Sequence, residues 1–525
     1  MKILLVYPPI TVYDPDPTIP SAQPVLGLAY LGSYLEALHH EVRIMDALAL
    51  GINNVQRVEG GTRYGLSEED ILTIIWEFDP DLVGVTCMFS SYSTDAHRLA
   101  AIVKDYNHAA PVIFGGAHSS ICPEWVLKDE NVDIVVFGEG EITMSELVSK
   151  LQRGEGISEV RGIAFRQDGR IVKNKPREFM TDIDSIPLPA RHLLPMGIYL
   201  NNSKSPYNIR FPATTVVTSR GCPGNCVFCS IHSVWGHRWR YRDPKSVVDE
   251  IEHLIKQYNV REIEFLDDNI AASNKRLEAI CDEIIRRKLN IKWATPNGIA
   301  YWTLDEKLLR KMKKSGCYRL TFGIESGNIA TRKFIGKTHS LESAKKIIGH
   351  ANKIGLWTVC TFIIGFPYEK KDSIMDTVRF AVESGTDFAV FYLLGVFPGT
   401  KVYEIFKKEG LLDFDRVFND PASATVTDFS VIGQSLASRG TKTKYFTQSE
   451  LQACLDEAYR VFALSRIKHF LNPSRLLRKV YSPEDLKYAI RLSTAMSIPL
   501  YRMMLRKFST HFALHKKANL NQNIR

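Results

Sequence analysis

The sequence predicts an α/β protein with two successive parallel sheets and a small helical domain after them. Short apolar runs alternate with amphipathic stretches over residues 1–150 and again over residues 206–415, which is typical of strands joined by helical crossovers. Prolines and a hairpin pattern mark residues 151–205 as a connector. We expect a small helical, basic domain over residues 416–525. The pattern is irregular at residues 422–444, and helical periodicity resumes at residues 448–467, after Pro483 and at residues 498–508.

Composition places the chain among globular proteins of a reducing compartment. It has 525 residues, 45% of them hydrophobic and 24% charged, which is enough for several cores. Nine cysteines with only three close together do not fit a secreted disulfide framework. We find no signal peptide and no apolar run long enough to span a bilayer. We expect a cytoplasmic protein, with peripheral contact to the inner membrane surface as an open alternative.

The net charge of +9 is concentrated near the C-terminus. Residues 459–525 contain fourteen Lys and Arg against Glu484 and Asp485, a net charge of +12, which leaves −3 for the residues before them. Interleaved Phe, Leu, Tyr and Met side chains would suit contact with an anionic membrane surface. A solvated helical face explains the same pattern, and both interpretations stay open.

Residues 1–150 are predicted to form a doubly wound parallel sheet. Apolar runs predict strands at residues 3–6, 41–45, 82–86, 112–114 and 134–137, with helices at residues 27–38, 67–78, 95–106 and 123–128. Ligands of such sheets bind beyond the carboxyl ends of the strands. Two loops at that edge carry glycines that let the backbone approach a large ligand. No G-x-G-x-x-G follows the first strand, which disfavours a dinucleotide.

The connector contains one recognisable element. Residues 160–165 and 170–173 are predicted to pair as a hairpin through an Asp168-Gly169 turn. Four prolines between residues 176 and 195 then predict an extended segment that lies across the neighbouring domain.

Residues 206–415 are predicted to form an open barrel. Strands are expected at residues 214–218, 262–266, 292–295, 319–323, 358–364 and 388–393, and helices at residues 244–258, 274–288, 305–315, 341–354 and 371–384. Six strands and five crossovers are two units short of a full eight-stranded barrel. Barrel enzymes keep their chemistry at the carboxyl ends of the strands, and a cysteine-rich loop follows the first one.

The cysteine loop has the pattern C-x3-C-x2-C, formed by Cys222, Cys226 and Cys229. Thiolates at this spacing can share one soft metal centre, and three rather than four of them leave one iron of a cubic iron–sulfur cluster without a protein ligand. Two other interpretations stay open at this point. One is a zinc site completed by His232 or His237, and the other is three buried thiols without a metal.

Residues 218–230 resemble the signature of the radical SAM superfamily, and later strand ends resemble its other elements. The resemblance implies a [4Fe-4S] cluster on the three cysteines, whose free iron chelates S-adenosylmethionine (SAM), and a 5′-deoxyadenosyl radical after one-electron reduction. The residues alone leave Phe228 open to core packing and the two aspartates open to helix capping. The implied SAM contacts are Phe228, Asp267, Asp268, Gly323, Glu325, Ser326, Gly365 and Pro367.

The first region resembles the cobalamin-binding domain of cobalamin-dependent radical SAM enzymes, on residues 2–9, 24–31, 114–118 and 138–141. With the barrel, the resemblance covers residues 1–415. No D-x-H-x-x-G follows the first strand, so it implies cobalamin without a histidine ligand on cobalt, and His118 fits an ordinary hydrogen-bond role as well. The implied cobalamin contacts are Pro8, Pro9, Ser90, Ser91, Gly115, Gly116, His118, Gly138, Glu139 and Glu141.

This resemblance implies a class B methyltransferase, which moves a methyl group from methylcobalamin to an unactivated carbon, or phosphorus, after the radical abstracts hydrogen. Two alternatives stay open: cyclisation or oxidation with the same cofactors, and a cofactor-binding regulator without turnover. A small-molecule, lipid or peptide substrate and a flavodoxin- or ferredoxin-like electron donor are implied, and we expect no nucleic-acid partner. We expect the C-terminal domain to pack on the barrel as a lid or substrate wall.

Overall fold

The computed structural model describes residues 1–13, 20–202, 205–412, 426–470, 472–492 and 494. Its first ten strands are β1 (Lys2–Tyr7), β2 (Ile10–Val12), β3 (Glu41–Asp46), β4 (Val55–Val58), β5 (Gly61–Tyr64), β6 (Leu82–Thr86), β7 (Val112–Gly115), β8 (Ile134–Val136), β9 (Ile163–Gln167) and β10 (Arg170–Lys173). The helices of the same region are α1 (Leu26–Glu36), α2 (Ala47–Leu50), α3 (Glu68–Phe78), α4 (Ser93–Tyr106), α5 (Ala117–Ile121), α6 (Pro123–Val126) and α7 (Gly140–Gln152). All the strands and helices predicted here are confirmed, and the sequence missed the short β2, β4, β5, α2 and α5 and did not assign α7.

The first sheet has the order β10-β9-β8-β7-β6-β1-β3, and its five strands from β8 to β3 are parallel. Alternate residues of β1 enter opposite cores. Leu4 and Val6 pack with side chains of α3 and α4, whereas Ile3 and Leu5 pack with side chains of α1 and α7. Burial on both faces explains why β1 reads as a continuous apolar run. The carboxyl ends of five strands therefore meet at one edge. The strands β2, β5 and β4 form a separate small sheet.

The hairpin of β9 and β10 belongs to the first sheet and not to the connector. β9 pairs antiparallel with β8, and β10 forms the edge of the sheet. The predicted turn is present, with Asp168 and Gly169 at φ of 49° and 72°, as a type I′ turn requires. The sequence placed this hairpin in a linker because the alternation of helix and strand stops near residue 150, whereas strand pairing extends the sheet to residue 173.

The second sheet is an open barrel of six parallel strands in the order β11-β14-β15-β16-β17-β18. Following α8 (Met196–Asn202), the strands are β11 (Ala213–Val216), β12 (Ser219–Arg220), β13 (Arg240–Tyr241), β14 (Glu262–Phe265), β15 (Lys292–Ile299), β16 (Cys317–Glu325), β17 (Trp357–Ile364) and β18 (Phe388–Leu393). The helices are α9 (Ile231–Trp235), α10 (Pro244–Tyr258), α11 (Asn274–Arg286), α12 (Glu306–Lys314), α13 (Ile329–Ile335), α14 (Leu341–Lys353), α15 (Lys371–Glu383) and α16 (Lys401–Lys408). The six predicted strands and five predicted helices are confirmed, and β12 pairs only with β13.

The C-terminal helices close the open side of this barrel. They are α17 (Val426–Arg439), α18 (Gln448–Phe470) and α19 (Pro473–Leu476), and residues 483–492 are also helical. The Tyr459 hydroxyl of α18 accepts a hydrogen bond from the Phe391 N–H at 3.1 Å and lies 3.0 Å from its carbonyl oxygen, to which it donates. These bonds satisfy the free edge of β18, which would otherwise expose unpaired backbone groups.

The helix α17 was not predicted, because the sequence between residues 422 and 444 is rich in Ser, Thr and Gly and reads as irregular. Tertiary contacts to the first domain override that local signal, as described below. The helix predicted at residues 498–508 lies outside the described residues. Within the part of the chain that is described, no helix combines the length and the apolar character that crossing a membrane requires.

Candidate active site

The cysteine loop follows β12 at the carboxyl end of β11. Gly221 at its start has φ of 84°, and a Cβ there would lie 2.6 Å from the Arg238 carbonyl oxygen, so only glycine fits. Two of the thiols lie on the same side of Gly224 and close to each other. A Cβ built on this glycine would be 3.5 Å from the Cys222 sulfur and 3.8 Å from the Cys226 sulfur. Burial, and then the neighbouring thiols, raise the pKa of Cys229 to about 11.

These three thiols suit an iron–sulfur cluster better than a zinc site. His232, one candidate fourth ligand, hydrogen-bonds its ring to the loop backbone, with Nε2 donating to the Cys222 carbonyl at 3.2 Å. Its ring also stacks on His237, the other candidate, at 3.9 Å between centroids. Among the described residues, no three His, Cys, Asp or Glu side chains converge on a single-ion site. Three cysteines that bind different irons of one cubane need not converge on one point.

The loop is held at its stem by Asp267 and Asp268. The buried Asp267 carboxylate accepts hydrogen bonds from the Thr218 hydroxyl at 2.7 Å and the Ser219 hydroxyl at 2.5 Å. Asp268 accepts a bond from the Gly221 N–H at 3.3 Å, and burial raises its pKa to about 6. Asp267 was predicted to contact SAM; its side chain is bonded to these protein partners, and the SAM contact stays a prediction.

Ser326 was also predicted to contact SAM, and that contact stays a prediction. Its hydroxyl is fully buried, lies 3.0 Å from the Thr377 hydroxyl and accepts the Asn328 N–H at 3.1 Å. Ser326 therefore shapes the turn after β16. Glu325, immediately before it, has φ of 65°, a left-handed conformation that non-glycine residues rarely adopt and that is common at functional sites.

A buried lysine that sequence reasoning missed lies beside Glu325. The Lys337 ammonium is 2.7 Å from a Glu325 carboxylate oxygen and donates to the Gly323 carbonyl at 2.9 Å. Burial alone would lower the pKa of Lys337, but the Glu325 carboxylate and the Cys226 thiol raise it above its ordinary value. Opposite charges are therefore held next to the cysteine loop. The only sequence signal was a lysine two residues after α13.

The end of β17 brings together Phe228, Gly365 and Pro367. The Phe228 and Phe366 rings are 5.9 Å apart, and Pro367 is buried beside them. Gly365 has φ of 102°, and Leu451 of α18 lies against it. The Glu369 carboxylate, which the sequence did not single out, accepts the Gly365 N–H at 2.9 Å and fixes this turn. Burial raises the pKa of Glu369 to about 7.

The carboxyl edge of the first sheet forms a cradle. Pro8 and Pro9 follow β1, Ser90 and Ser91 lie in a 3-10 turn after β6, and Gly138 follows β8, at φ of 79°. Gly115 and Gly116 end β7. A Cβ on Gly115 would meet only the Val136 carbonyl oxygen, at 3.9 Å, so open space lies over this glycine.

Two further features of the carboxyl edge of the first sheet determine whether it fits cobalamin. Met88 and Phe89 expose 44% and 55% of their surface beside the turn, which offers apolar contact area to a large ring. His118 is enclosed, with its Nδ1 atom 2.9 Å from the Ser90 hydroxyl, and burial lowers its pKa to about 3. The neutral ring thus stabilises the 3-10 turn that begins at Ser90 through this hydrogen bond. Open backbone and apolar side chains fit cobalamin held without a histidine on its cobalt.

Glu139 and Glu141, whose contact with cobalamin stays a prediction, form ion pairs with the neighbouring domain. The Arg220 guanidinium donates to Glu139 at 2.9 Å and to Glu141 at 2.5 Å, and Arg240 donates to the same Glu139 oxygen at 2.6 Å. We name these four side chains the interdomain ion-pair network. All four are buried. They connect the loop that follows β8 (residues 137–139, the β8 loop) directly to the start of the cysteine loop.

The helix α17 ties the two domains together on a second side. The Gln434 amide nitrogen donates to the Thr11 carbonyl at 2.6 Å and the Ser91 carbonyl at 3.1 Å, and its oxygen accepts the Tyr13 N–H at 2.7 Å. A Cβ on Gly433 would lie 2.8 Å from the Ser91 nitrogen, so this glycine permits the close approach. Because α17 also contacts β18, it forms a wall between the two strand edges.

Comparisons with known proteins agree with this geometry. The Radical SAM superfamily matches residues 216–381, and the B12 binding domain matches residues 18–148. An uncharacterized methyltransferase of Pyrococcus horikoshii is 33% identical over 494 residues, which cover 94% of this chain and 97% of that protein. The chain belongs to the cobalamin-dependent radical SAM enzymes. It is an enzyme whose cofactors are a [4Fe-4S] cluster, SAM and cobalamin.

Other relatives of the enzyme differ in their reactions. The cytidylyl-2-hydroxyethylphosphonate methyltransferase of Streptomyces wedmorensis is 33% identical and covers 78% of this chain and 83% of its own. The anaerobic magnesium-protoporphyrin IX monomethyl ester cyclase of Rubrivivax gelatinosus is 29% identical, and the match covers 79% of this chain and 72% of the cyclase. The solved structure of OxsB with aqua-cobalamin and SAM has the same fold, with a TM-score of 0.69 and 17% identity over 95% of this chain and 71% of that one.

Proposed function

We propose that the enzyme methylates an unactivated carbon, or phosphorus, of a small-molecule, lipid or peptide substrate held between its two strand edges. When bound, the cluster with SAM supplies hydrogen-atom abstraction and cobalamin supplies the methyl group. The observation that carries the proposal is the interdomain ion-pair network, which joins the cysteine loop to the cobalamin-binding edge. Both cofactors must reach one substrate atom, so the two edges need a fixed separation.

The side chains divide the work of binding. Cys222, Cys226 and Cys229 would hold the cluster. The methionyl end of SAM carries an ammonium and a carboxylate, and the charges of Glu325 and Lys337 beside the loop are complementary to both. We expect α17, bonded to the first domain through Gln434, and α18, whose Leu451 lies against Gly365, to limit water access to this site, which would strengthen these electrostatic contacts.

Anaerobic turnover tests this proposal. The reconstituted enzyme is incubated with cobalamin, SAM, a chemical reductant and cell extract, and the products are followed by mass spectrometry. We expect a methylated product, S-adenosylhomocysteine and 5′-deoxyadenosine together. Deoxyadenosine without S-adenosylhomocysteine would instead support cyclisation or oxidation. No SAM cleavage would support a regulator without turnover. In the cell, we propose that a flavodoxin- or ferredoxin-like protein donates the electron.

We further propose that the C-terminal domain contacts an anionic lipid surface. The net charge of +12 over residues 459–525 supports this, although residues 471, 493 and 495–525 lie outside the described part of the chain. Large apolar side chains are exposed on the described helices of the same segment, namely Leu464, Ile467, Leu477, Leu486 and Ile490. On the helix over residues 483–492, the buried side chains of Tyr488 and Leu492 pack instead against barrel residues such as Trp357.

Vesicle sedimentation at two salt concentrations checks this contact. We expect the enzyme to pellet with vesicles containing anionic lipid at low salt and much less at high salt, because salt screens the attraction. Neutral vesicles are the control. The double variant Leu477→Asp/Ile490→Asp should bind severalfold less. Absence of binding at low salt, or equal binding to neutral vesicles, would refute the proposal.

A further inference from the structure

The interdomain ion-pair network has the two cofactor loops at its ends. Arg220 is the last residue of β12 and stands two positions before Cys222. Glu139 and Glu141 begin α7, directly after the β8 end where Gly138 lies. A displacement of either loop must therefore move or break the bonds of Arg220.

Each member of the network is held by additional contacts. The Arg220 guanidinium lies between two rings, 5.6 Å from the Tyr30 centroid and 5.2 Å from the Trp235 centroid. Glu139 also accepts the Met180 N–H at 2.7 Å, and Arg240 donates to the Met180 carbonyl at 3.0 Å. The connector is thus locked into the same network. Such a network resists small displacements.

Burial makes these bonds strong and their loss costly. Arg220 and Glu139 each expose 7% of their surface and Glu141 exposes 5%, so water cannot replace a lost partner. Breaking one buried ion pair is strongly destabilising because a charge is left uncompensated. The bonded arrangement is therefore strongly preferred, and anything that fixes one loop also restricts the other.

We propose that Arg220 is a positioning residue that couples the two cofactor sites. Ordering the cysteine loop around its cluster fixes Arg220, which fixes the β8 loop in the form that binds cobalamin. Binding at one site then raises affinity at the other by the same factor. The inference requires both cofactors but not methyl transfer.

Cobalamin affinity with and without the cluster tests this coupling. The dissociation constant of hydroxocobalamin is measured by absorbance on the apoprotein and on the reconstituted protein. In the wild type we expect cluster assembly to tighten binding by on the order of tenfold. In Arg220→Gln this factor should fall to one. Arg220→Lys should restore little of it, because an ammonium cannot span two carboxylates as a planar fork does.

A second buried ion pair provides the matched control. Arg191 is bonded to Glu250 at 2.9 Å and to the Thr215 carbonyl at 2.8 Å, and it touches neither cofactor loop. Arg191→Gln should lower stability as Arg220→Gln does, yet keep the tenfold factor. If Arg220→Gln does not fold, the isosteric Glu141→Gln weakens the same bond.

The readout separates this inference from the proposed methylation. A coupling factor of one in the wild type, or an unchanged factor in both Arg220→Gln and Glu141→Gln, would overturn the inference whatever the products are. Conversely, the factor is expected even if no methylated product forms. The electron paramagnetic resonance spectrum of the reduced cluster gives a second measure, because adding cobalamin should alter it in the wild type and leave it unaltered in Arg220→Gln.

Discussion

Cys226→Ala is expected to abolish both cluster assembly and SAM cleavage. The variant leaves two thiols for a cluster that needs three, and no described histidine is placed to substitute for the third. Replacing a residue that only hydrogen-bonds a metal ligand lowers metal affinity or activity about 10–100-fold. Loss of a cluster ligand itself should therefore lower cluster content and SAM cleavage more than about 100-fold. Iron and sulfide content, the absorbance of the reconstituted protein and deoxyadenosine formation with reductant measure the effect.

Cys454→Ala is the control for this substitution. Cys454 is a half-buried free cysteine on α18, away from the cysteine loop. This variant should keep the iron content and the SAM cleavage of the wild type, which excludes a general effect of removing a thiol. SAM cleavage that survives in Cys226→Ala would show that the three cysteines do not hold the cluster that cleaves SAM, and the assignment of this loop would then be wrong.

The sequence predicted both sheets because their signals are local. Strands buried on both faces, such as β1 and β6, read as short apolar runs, and each crossover helix has its own amphipathic period. The cysteine spacing likewise lies within a single loop. These features need no knowledge of distant residues, which is why the two parallel sheets and the place of the cysteine loop after the first barrel strand followed from the pattern.

The missed features depend on partners far away in the chain. Arg220 and Glu141 are ordinary charged residues until the two domains meet, and Glu141 was therefore assigned to the cofactor. Lys337 gains its role only when α13 places it beside Glu325. The helix α17 has weak local propensity and is stabilised by the contacts of Gln434 with the first domain. Patterns in one segment cannot reveal such pairs.

Asp387→Asn is expected to cost about 3–5 kcal/mol of unfolding free energy, because it leaves buried cations without a counter-charge. Asp387 lies at the start of β18, exposes 1% of its surface and is paired with Lys479. Arg475 and His469 each approach it to 3.4 Å. All three partners belong to the C-terminal domain, so this carboxylate anchors that domain to the barrel.

The charge states of this pair fix the conditions of the measurement. Burial alone would raise the pKa of Asp387, but Lys479 and then His469 hold it far below its ordinary value. The stabilisation is therefore fully present above the pKa of an unfolded aspartate and is lost only as the pH falls toward the folded value. Burial lowers the pKa of Lys479 to about 8, which leaves the ammonium charged at pH 7. Denaturant unfolding at pH 7 thus measures the whole effect.

Two further variants separate a lost charge from a lost contact. Glu457→Gln removes an exposed pair with Arg460 on α18 and should leave the free energy of unfolding almost unchanged. The double variant Asp387→Leu/Lys479→Met removes both buried charges and should recover much of the loss, because no fully buried charge then lacks a partner. If Asp387→Asn costs no more than Glu457→Gln, the carboxylate does not anchor the domain. The covering of β18 by Tyr459 would then be what holds the helices in place.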